Sequence, residues 1–183
     1  MVIMQTGHDH TTDYSQITPN IFLGSDLCKG WNCPSHQKEF EKLHIKTEIN
    51  VEIEHDEPVL PTLEIYLRIP TPDDTAPTHN QLLLATDALN LTVLSKTVAY
   101  VHCKNGHGRS PTVVAAYLIR YQNMDVATAI DFVKEKRPEI HIEKVQIAAL
   151  EKFADLSYFS PNPQLVFHNV AIEPTEGEGT LEI

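Results

Sequence analysis

The residues best suited to chemistry stand in one short string, Val101-His102-Cys103-Lys104-Asn105-Gly106-His107-Gly108-Arg109-Ser110. Successive backbone N–H groups in a loop of this kind can converge on an anion, and a helix N-terminus behind it adds positive potential. Gly106 and Gly108 permit dihedrals and close approaches that a side chain would block. Arg109 offers a planar fork of donors matched to two oxygens of a phosphate. Cys103 opens the loop, where the same positive field favours the thiolate, which is the nucleophilic form. A thiolate beneath a bound phosphate, with an arginine at the rim, is equipped for phosphoryl transfer through a phosphocysteine. The competing reading is a β-hairpin, for which Asn-Gly between apolar runs is a strong signal. In a hairpin Cys103 would be an ordinary buried residue. A hairpin needs none of the His, Cys, second Gly, Arg and Ser found at these offsets, so the anion-binding reading prevails.

A leaving alkoxide or phenoxide needs a proton, so a carboxylic acid must sit on a loop near the phosphate. The loop Pro70 to Pro77 (PTPDDTAP) carries two adjacent candidates, Asp73 and Asp74. Lys104 and His107 would widen the positive mouth. His8, Asp9 and His10 contain ligand types but lack the further donors that a metal site needs, so they are assigned to a disordered arm and no metal is expected. Cys28 and Cys33 form a C-x4-C pair that reads as one packed and one exposed thiol. The alternative is a resolving thiol that protects Cys103 after oxidation.

The elements that must hold this loop follow from periodicity. Val98 to Val101 reads as a short buried strand entering the loop, and Pro111 to Tyr121 as a helix leaving it, with proline well placed in a first turn. Upstream, Ile21-Phe22-Leu23 has strand character, and Ser35 could cap a short helix through Leu43. Thr47 to Ile53 and Glu64 to Ile69 alternate as half-buried strands, the second stopping at Pro70. Thr78 with Gln81 forms a capping box that opens a helix to about Leu94, with Leu82, Ala85, Leu89 and Val93 on one stripe. Asp125 can cap a helix that ends before Pro138. A last helix spans Glu143 to about Phe159, with Val145, Ile147, Leu150, Phe153 and Leu156 mostly on one side. Alternation of strands and helices predicts an α/β fold with a central, mostly parallel sheet flanked by helices. The expected organisation is an N-terminal arm over residues 1–15, a catalytic domain over 16–159 and a C-terminal tail over 160–183.

Composition narrows the function classes. The chain has 183 residues, of which 14 are Lys or Arg and 25 are Asp or Glu, for a net charge of −11. Broad nucleic-acid binding needs a basic surface, so this balance excludes it. No run reaches the roughly 18 apolar residues of a membrane span, so no stable membrane insertion is expected. Residues 1–14 have no apolar segment of a secretory signal. Three cysteines are too few and too odd a number for a disulfide scaffold, which points to a reducing, cytoplasmic setting.

His102-Cys103, five residues, then Arg109-Ser110 resembles the active-site loop of the protein tyrosine phosphatase superfamily, and VHCKNGHGRSPTVVAAYLI is most similar to its dual-specificity branch. The likeness extends to Ile17 to Ser25 (ITPNIFLGS), to Leu43 to Val51 (LHIKTEINV), to Ile69 to Asp73 (IPTPD) and to Ala129 to Pro138 (AIDFVKEKRP). It covers roughly Gln16 to Phe159. The resemblance implies Cys103 as nucleophile and Arg109 as the clamp on two phosphate oxygens. It implies Lys104, Asn105, Gly106, His107 and Gly108 as donors of backbone amides. Ser110 would bond the sulfur and ease its departure, and Asp73 rather than Asp74 would be the general acid. His102 would support the thiolate from behind, and Asn50 would brace the loop. The implied activity is a cofactor-free, dual-specificity protein phosphatase acting on phosphorylated proteins. Phosphoinositide, phospholipid or phosphoglucan substrates, or a non-catalytic phosphate-binding role, are the alternatives. A sulfurtransferase would also use an anion-binding Cys loop, but the upstream Asp pair and the Arg-Ser ending speak against it.

Overall fold

The computed structural model describes residues 13–27, 34–55 and 58–157. Five strands and five helices follow one another along the chain: β1 (Tyr14–Thr18), β2 (Ile21–Ser25), α1 (Pro34–Lys42), β3 (Ile45–Glu52), β4 (Ile65–Thr71), α2 (His79–Leu94), β5 (Val98–Cys103), α3 (Arg109–Gln122), α4 (Val126–Lys136) and α5 (Lys144–Ser157). The strands form one sheet in the order β1-β2-β5-β3-β4. β2, β5, β3 and β4 are mutually parallel, and only β1 runs antiparallel, against β2. The expected α/β architecture is therefore present, and β5 holds the centre of the sheet with its C-terminal end at Cys103.

The pleat sorts side chains to two cores. Ile21, Leu23, Ile49, Val51, Ala99 and Val101 face helices α2 to α5 and form the larger core with Leu82, Ala85, Leu89, Leu150 and Phe153. Phe22, Ile45 and Tyr100 point to the other face and pack with Phe40 of α1 and Leu27. α3 is buried along Arg109 to Ile119. A helix covered on all sides needs small and branched apolar residues around its circumference, which Val113-Val114-Ala115-Ala116 provides.

Several expected boundaries shift. Tyr14 and Ser15 belong to β1, so the arm ends before them, and a second strand precedes the one seen at Ile21. Ser35 lies inside α1, which starts at Pro34. β4 does not stop at Pro70 but continues to Thr71, because β4 is an edge strand where a missing N–H costs no ladder bond. α3 begins at Arg109, two residues before Pro111. Thr78 and Gln81 make both bonds of the capping box, and Asp125 caps α4 through the N–H of Thr128. In α5, Val145 is exposed and Gln146 takes the inward position. Residues His8, Asp9, His10, Cys28 and Cys33, Phe159 and the tail 160–183 lie outside the described residues.

Candidate active site

The loop between β5 and α3 is shaped by what holds its carbonyls. The Lys104 carbonyl accepts from the Asp26 N–H at 3.2 Å, and that of His107 from the His141 N–H at 2.9 Å. Arg137, itself buried, donates from Nη2 to the Asn105 carbonyl at 3.3 Å and from Nε to that of Gly106 at 3.1 Å. Four successive C=O groups are thus tied from outside. A trans peptide is planar with C=O and the following N–H opposed, so the amides of Asn105, Gly106, His107 and Gly108 turn inward. Gly106 has φ of 70°, and a Cβ there would lie 2.4 Å from the Gly24 carbonyl oxygen. Only glycine meets both conditions. Gly108 stands at the N-cap of α3 with no side chain bonding the first turn, which leaves those amides available to an anion.

Cys103 closes β5, and Ser110 Oγ donates to its Sγ at 3.3 Å. Arg109 is 2% exposed. Its Nη1 donates to Glu54 Oε2 and to the Thr71 carbonyl, each at 2.8 Å, and its Nη2 lies 3.1 Å from Asp73 Oδ1. Nε is buried without a hydrogen-bond partner. Burial by itself would lower the guanidinium's pKa, but the Glu54 hydrogen bond and the charges of Cys103 and Asp73 raise it. On Glu54, burial acts to raise the pKa, and the hydrogen bond and charge of Arg109 together with backbone hydrogen bonds bring the carboxyl below its ordinary value. Arg109 is therefore held on one side by Glu54 and Thr71, leaving Nε and, once Asp73 moves, Nη2 for two phosphate oxygens.

Asp73 and Asp74 both line the cavity above the loop, about 80 Å³ in volume, together with Cys103, Asn105, Arg109 and Gln146. Only Asp73 touches Arg109. Asp74 sits in the left-handed region at φ 57°, which turns its side chain along a different line. Gln146 is buried, accepts from the Glu143 N–H at 2.8 Å and donates to the Thr75 carbonyl at 2.9 Å. It thereby ties α5 to the loop that bears Asp73. His107 and His141 meet at the rim with ring centroids 5.4 Å apart. Burial, then the positive charge of Arg137, lowers the His107 pKa from its ordinary value. Lys104 is exposed and is not among the residues that line the cavity.

The two supporting residues, His102 and Asn50, lie on neighbouring strands. His102 is buried beneath Cys103, stacked on Tyr100 at 5.4 Å, with Nε2 3.4 Å from Glu48 Oε1. Asn50 is paired in register with His102, but its side chain does not brace the loop. Its Oδ1 accepts from the Glu52 N–H at 2.9 Å, and its Nδ2 donates to Tyr66 at 3.4 Å. It secures the irregular end of β3 instead. Glu54, Arg137, His141 and Gln146 escape the sequence reading as site residues. Their roles depend on contacts between distant segments, although the alternating acids of Glu52-Ile53-Glu54 and the Arg before Pro138 were visible signals.

The chain matches the dual specificity phosphatase catalytic domain over residues 28–155. It is 39% identical over 92 residues to phosphatidylglycerophosphate phosphatase PTPMT2 of Arabidopsis thaliana, an alignment that spans 50% of this chain and 40% of that protein. It is 31% identical over 126 residues to human dual specificity phosphatase 28, spanning 67% of each. The crystal structure of PTPMT1 superposes with a TM-score of 0.70 and 25% identity, covering 79% of this chain and 96% of that one. With Cys103, Arg109 and Ser110 assembled around a loop of inward amides, the chain belongs to the dual specificity phosphatase family and carries the catalytic domain of a cysteine-based phosphatase.

Proposed function

We propose that this chain hydrolyses phosphate monoesters on phosphorylated proteins through a cysteinyl-phosphate intermediate. The observation that carries the reading is the loop itself: four carbonyls tied from outside, a buried cysteine at its base and Arg109 with a donor edge left over. The amides and Arg109 take the non-bridging oxygens. The Cys103 thiolate attacks phosphorus, the bond from phosphorus to the ester oxygen breaks, and Asp73 gives its proton to that oxygen. Water then attacks the phosphocysteine, Asp73 takes a proton from it, and the phosphorus–sulfur bond breaks with the departing thiolate held by Ser110. The step needs no redox partner, and its positive charge comes from backbone amides and Arg109.

The protein substrate is supported by the human relative, which aligns over equal shares of both chains. A phospholipid headgroup is the second reading, and its support is the identity to the Arabidopsis phosphatidylglycerophosphate phosphatase. The proposed setting is the cytoplasm, in keeping with the low cysteine content. A phosphate-release panel over phosphotyrosine and phosphoserine peptides, phosphoinositides, phosphatidylglycerophosphate and a phosphoglucan tests the choice. We expect the highest kcat/KM on a phosphopeptide, by about tenfold or more, which corresponds to ~1.4 kcal/mol of barrier. A lipid that outruns every peptide by that margin would overturn the protein assignment while leaving the chemistry in place.

A further inference from the structure

Beside the phosphate loop, the described residues bring together three side chains of ligand type that the reaction does not use. Asp26 follows β2, Glu52 ends β3, and His55 stands in the loop beyond. Asp26 Oδ2 lies 2.6 Å from His55 Nδ1, and Glu52 Oε1 lies 3.0 Å from the same nitrogen. The three ligand atoms all fall within 4.8 Å of one another. The side chains of Asp26 and Glu52 are 1% and 0% exposed, and that of His55 is 34% exposed. Two adjacent buried carboxylates are costly unless positive charge compensates them. Glu52 Oε2 is buried with no hydrogen-bond partner, so Glu52 retains an unmet acceptor.

We propose that Asp26, Glu52 and His55 bind a divalent cation. Two ligands at right angles on a cation with bonds of 2.0–2.1 Å sit about 3 Å apart, close to the separations found here. Two carboxylates and an imidazole suit Mn²⁺ or Zn²⁺. The cation takes the Nδ1 lone pair, with the ring proton on Nε2, and the exposed side of His55 gives the path of entry. The site is structural and adjoins the reaction without entering it. Asp26 also holds the Lys104 carbonyl through its backbone, and Glu54, two residues beyond Glu52, holds Arg109. An occupied site ties the ends of β2 and β3 under one wall of the phosphate loop.

Mn²⁺ alone is the probe, since thiolates are poor ligands for it. The full chain is stripped with a chelator and titrated, and the spectrum of free Mn²⁺ in electron paramagnetic resonance gives the bound fraction. We expect saturable binding of one ion per chain. His55→Ala and Glu52→Gln should each weaken it by about tenfold or more, and His8→Ala with His10→Ala should leave it unchanged. Circular dichroism establishes that each variant is folded. If Glu52→Gln does not fold, the half-exposed His55→Ala decides. Absence of saturable binding up to about 1 mM, binding that survives His55→Ala, or loss in the double arm variant would overturn the site. Turnover of an aryl phosphate by the stripped enzyme is a separate readout, so loss of this site and loss of the phosphatase reading are distinguishable.

Discussion

Arg109 is already engaged before any substrate arrives, and its partners divide the labour of the neighbouring acids. Glu54 and the Thr71 carbonyl hold Nη1, whereas Asp73 reaches Nη2 from an exposed loop. A carboxylate on an exposed loop can leave the guanidinium and follow the leaving oxygen. Asp73→Ala should therefore cost roughly 10² to 10⁴ in rate on a substrate with a poor leaving group, and far less on an activated aryl phosphate. Asp74→Ala should stay within about tenfold on both, under ~1.4 kcal/mol of barrier. The reverse pattern would move the acid to Asp74. Glu54 is a test in pH. Burial acts to raise its folded pKa, but the hydrogen bond and charge of Arg109 together with backbone hydrogen bonds bring it below the ordinary 4.5. A carboxyl depressed on folding contributes stability that is complete above the unfolded value and is lost as pH falls through the folded one. Urea melts between pH 6 and pH 3 should show wild type losing stability below about 4.5 more steeply than Glu54→Gln. Parallel curves would mean that Glu54 does not hold Arg109 in solution.

The loop works as an element because its outer surface is bonded. Arg137 comes from the end of α4, His141 from the segment before α5 and Asp26 from the end of β2, and each takes carbonyls that would otherwise face the phosphate. Arg137 left a signal in the sequence, standing just before Pro138, but its role was not legible, because a buried arginine and a solvated one look alike in one dimension. The glycine was legible for the right residue and for both reasons, but not for the neighbour it must clear. Gly106 needs both its positive φ and its missing Cβ, and the second need is set by Gly24 across the sheet. Gly106→Ala should lower stability by about 2 kcal/mol or more and weaken tungstate binding, as a left-handed alanine costs 1–2 kcal/mol before any clash. Calorimetry with tungstate and urea melts check both effects. Wild-type affinity in a fully folded Gly106→Ala would show that the loop reaches its shape by another route.

At the scale of the molecule, most local signals with strict chemistry survived, the cap at Ser35 excepted, and signals that depend on position in the sheet did not. The capping box at Thr78 and Gln81, the cap at Asp125 and the strand-loop-helix around Cys103 are local, and all are present. Pro70 ended a strand in the sequence reading because nothing in the sequence showed that β4 would lie at an edge. Asn50 was carried over as a brace of the loop, but β3 is irregular between Asn50 and Glu52 and takes up its side chain. The parallel sheet has one consequence for the whole molecule. It delivers the ends of β2, β3, β4 and β5 to one side, where Cys103, Asp73, Glu54 and Asp26 gather on connections that never touch in sequence. The central claim is that Cys103 at this point is the nucleophile. The direct measurement is rapid quench of the enzyme with excess aryl phosphate, followed by mass spectrometry of the denatured chain. Wild type is expected to carry one phosphate on the peptide containing Cys103, whereas Cys103→Ser shows no turnover yet still binds tungstate. A phosphate found elsewhere, or turnover by Cys103→Ser within about tenfold of wild type, would contradict the account.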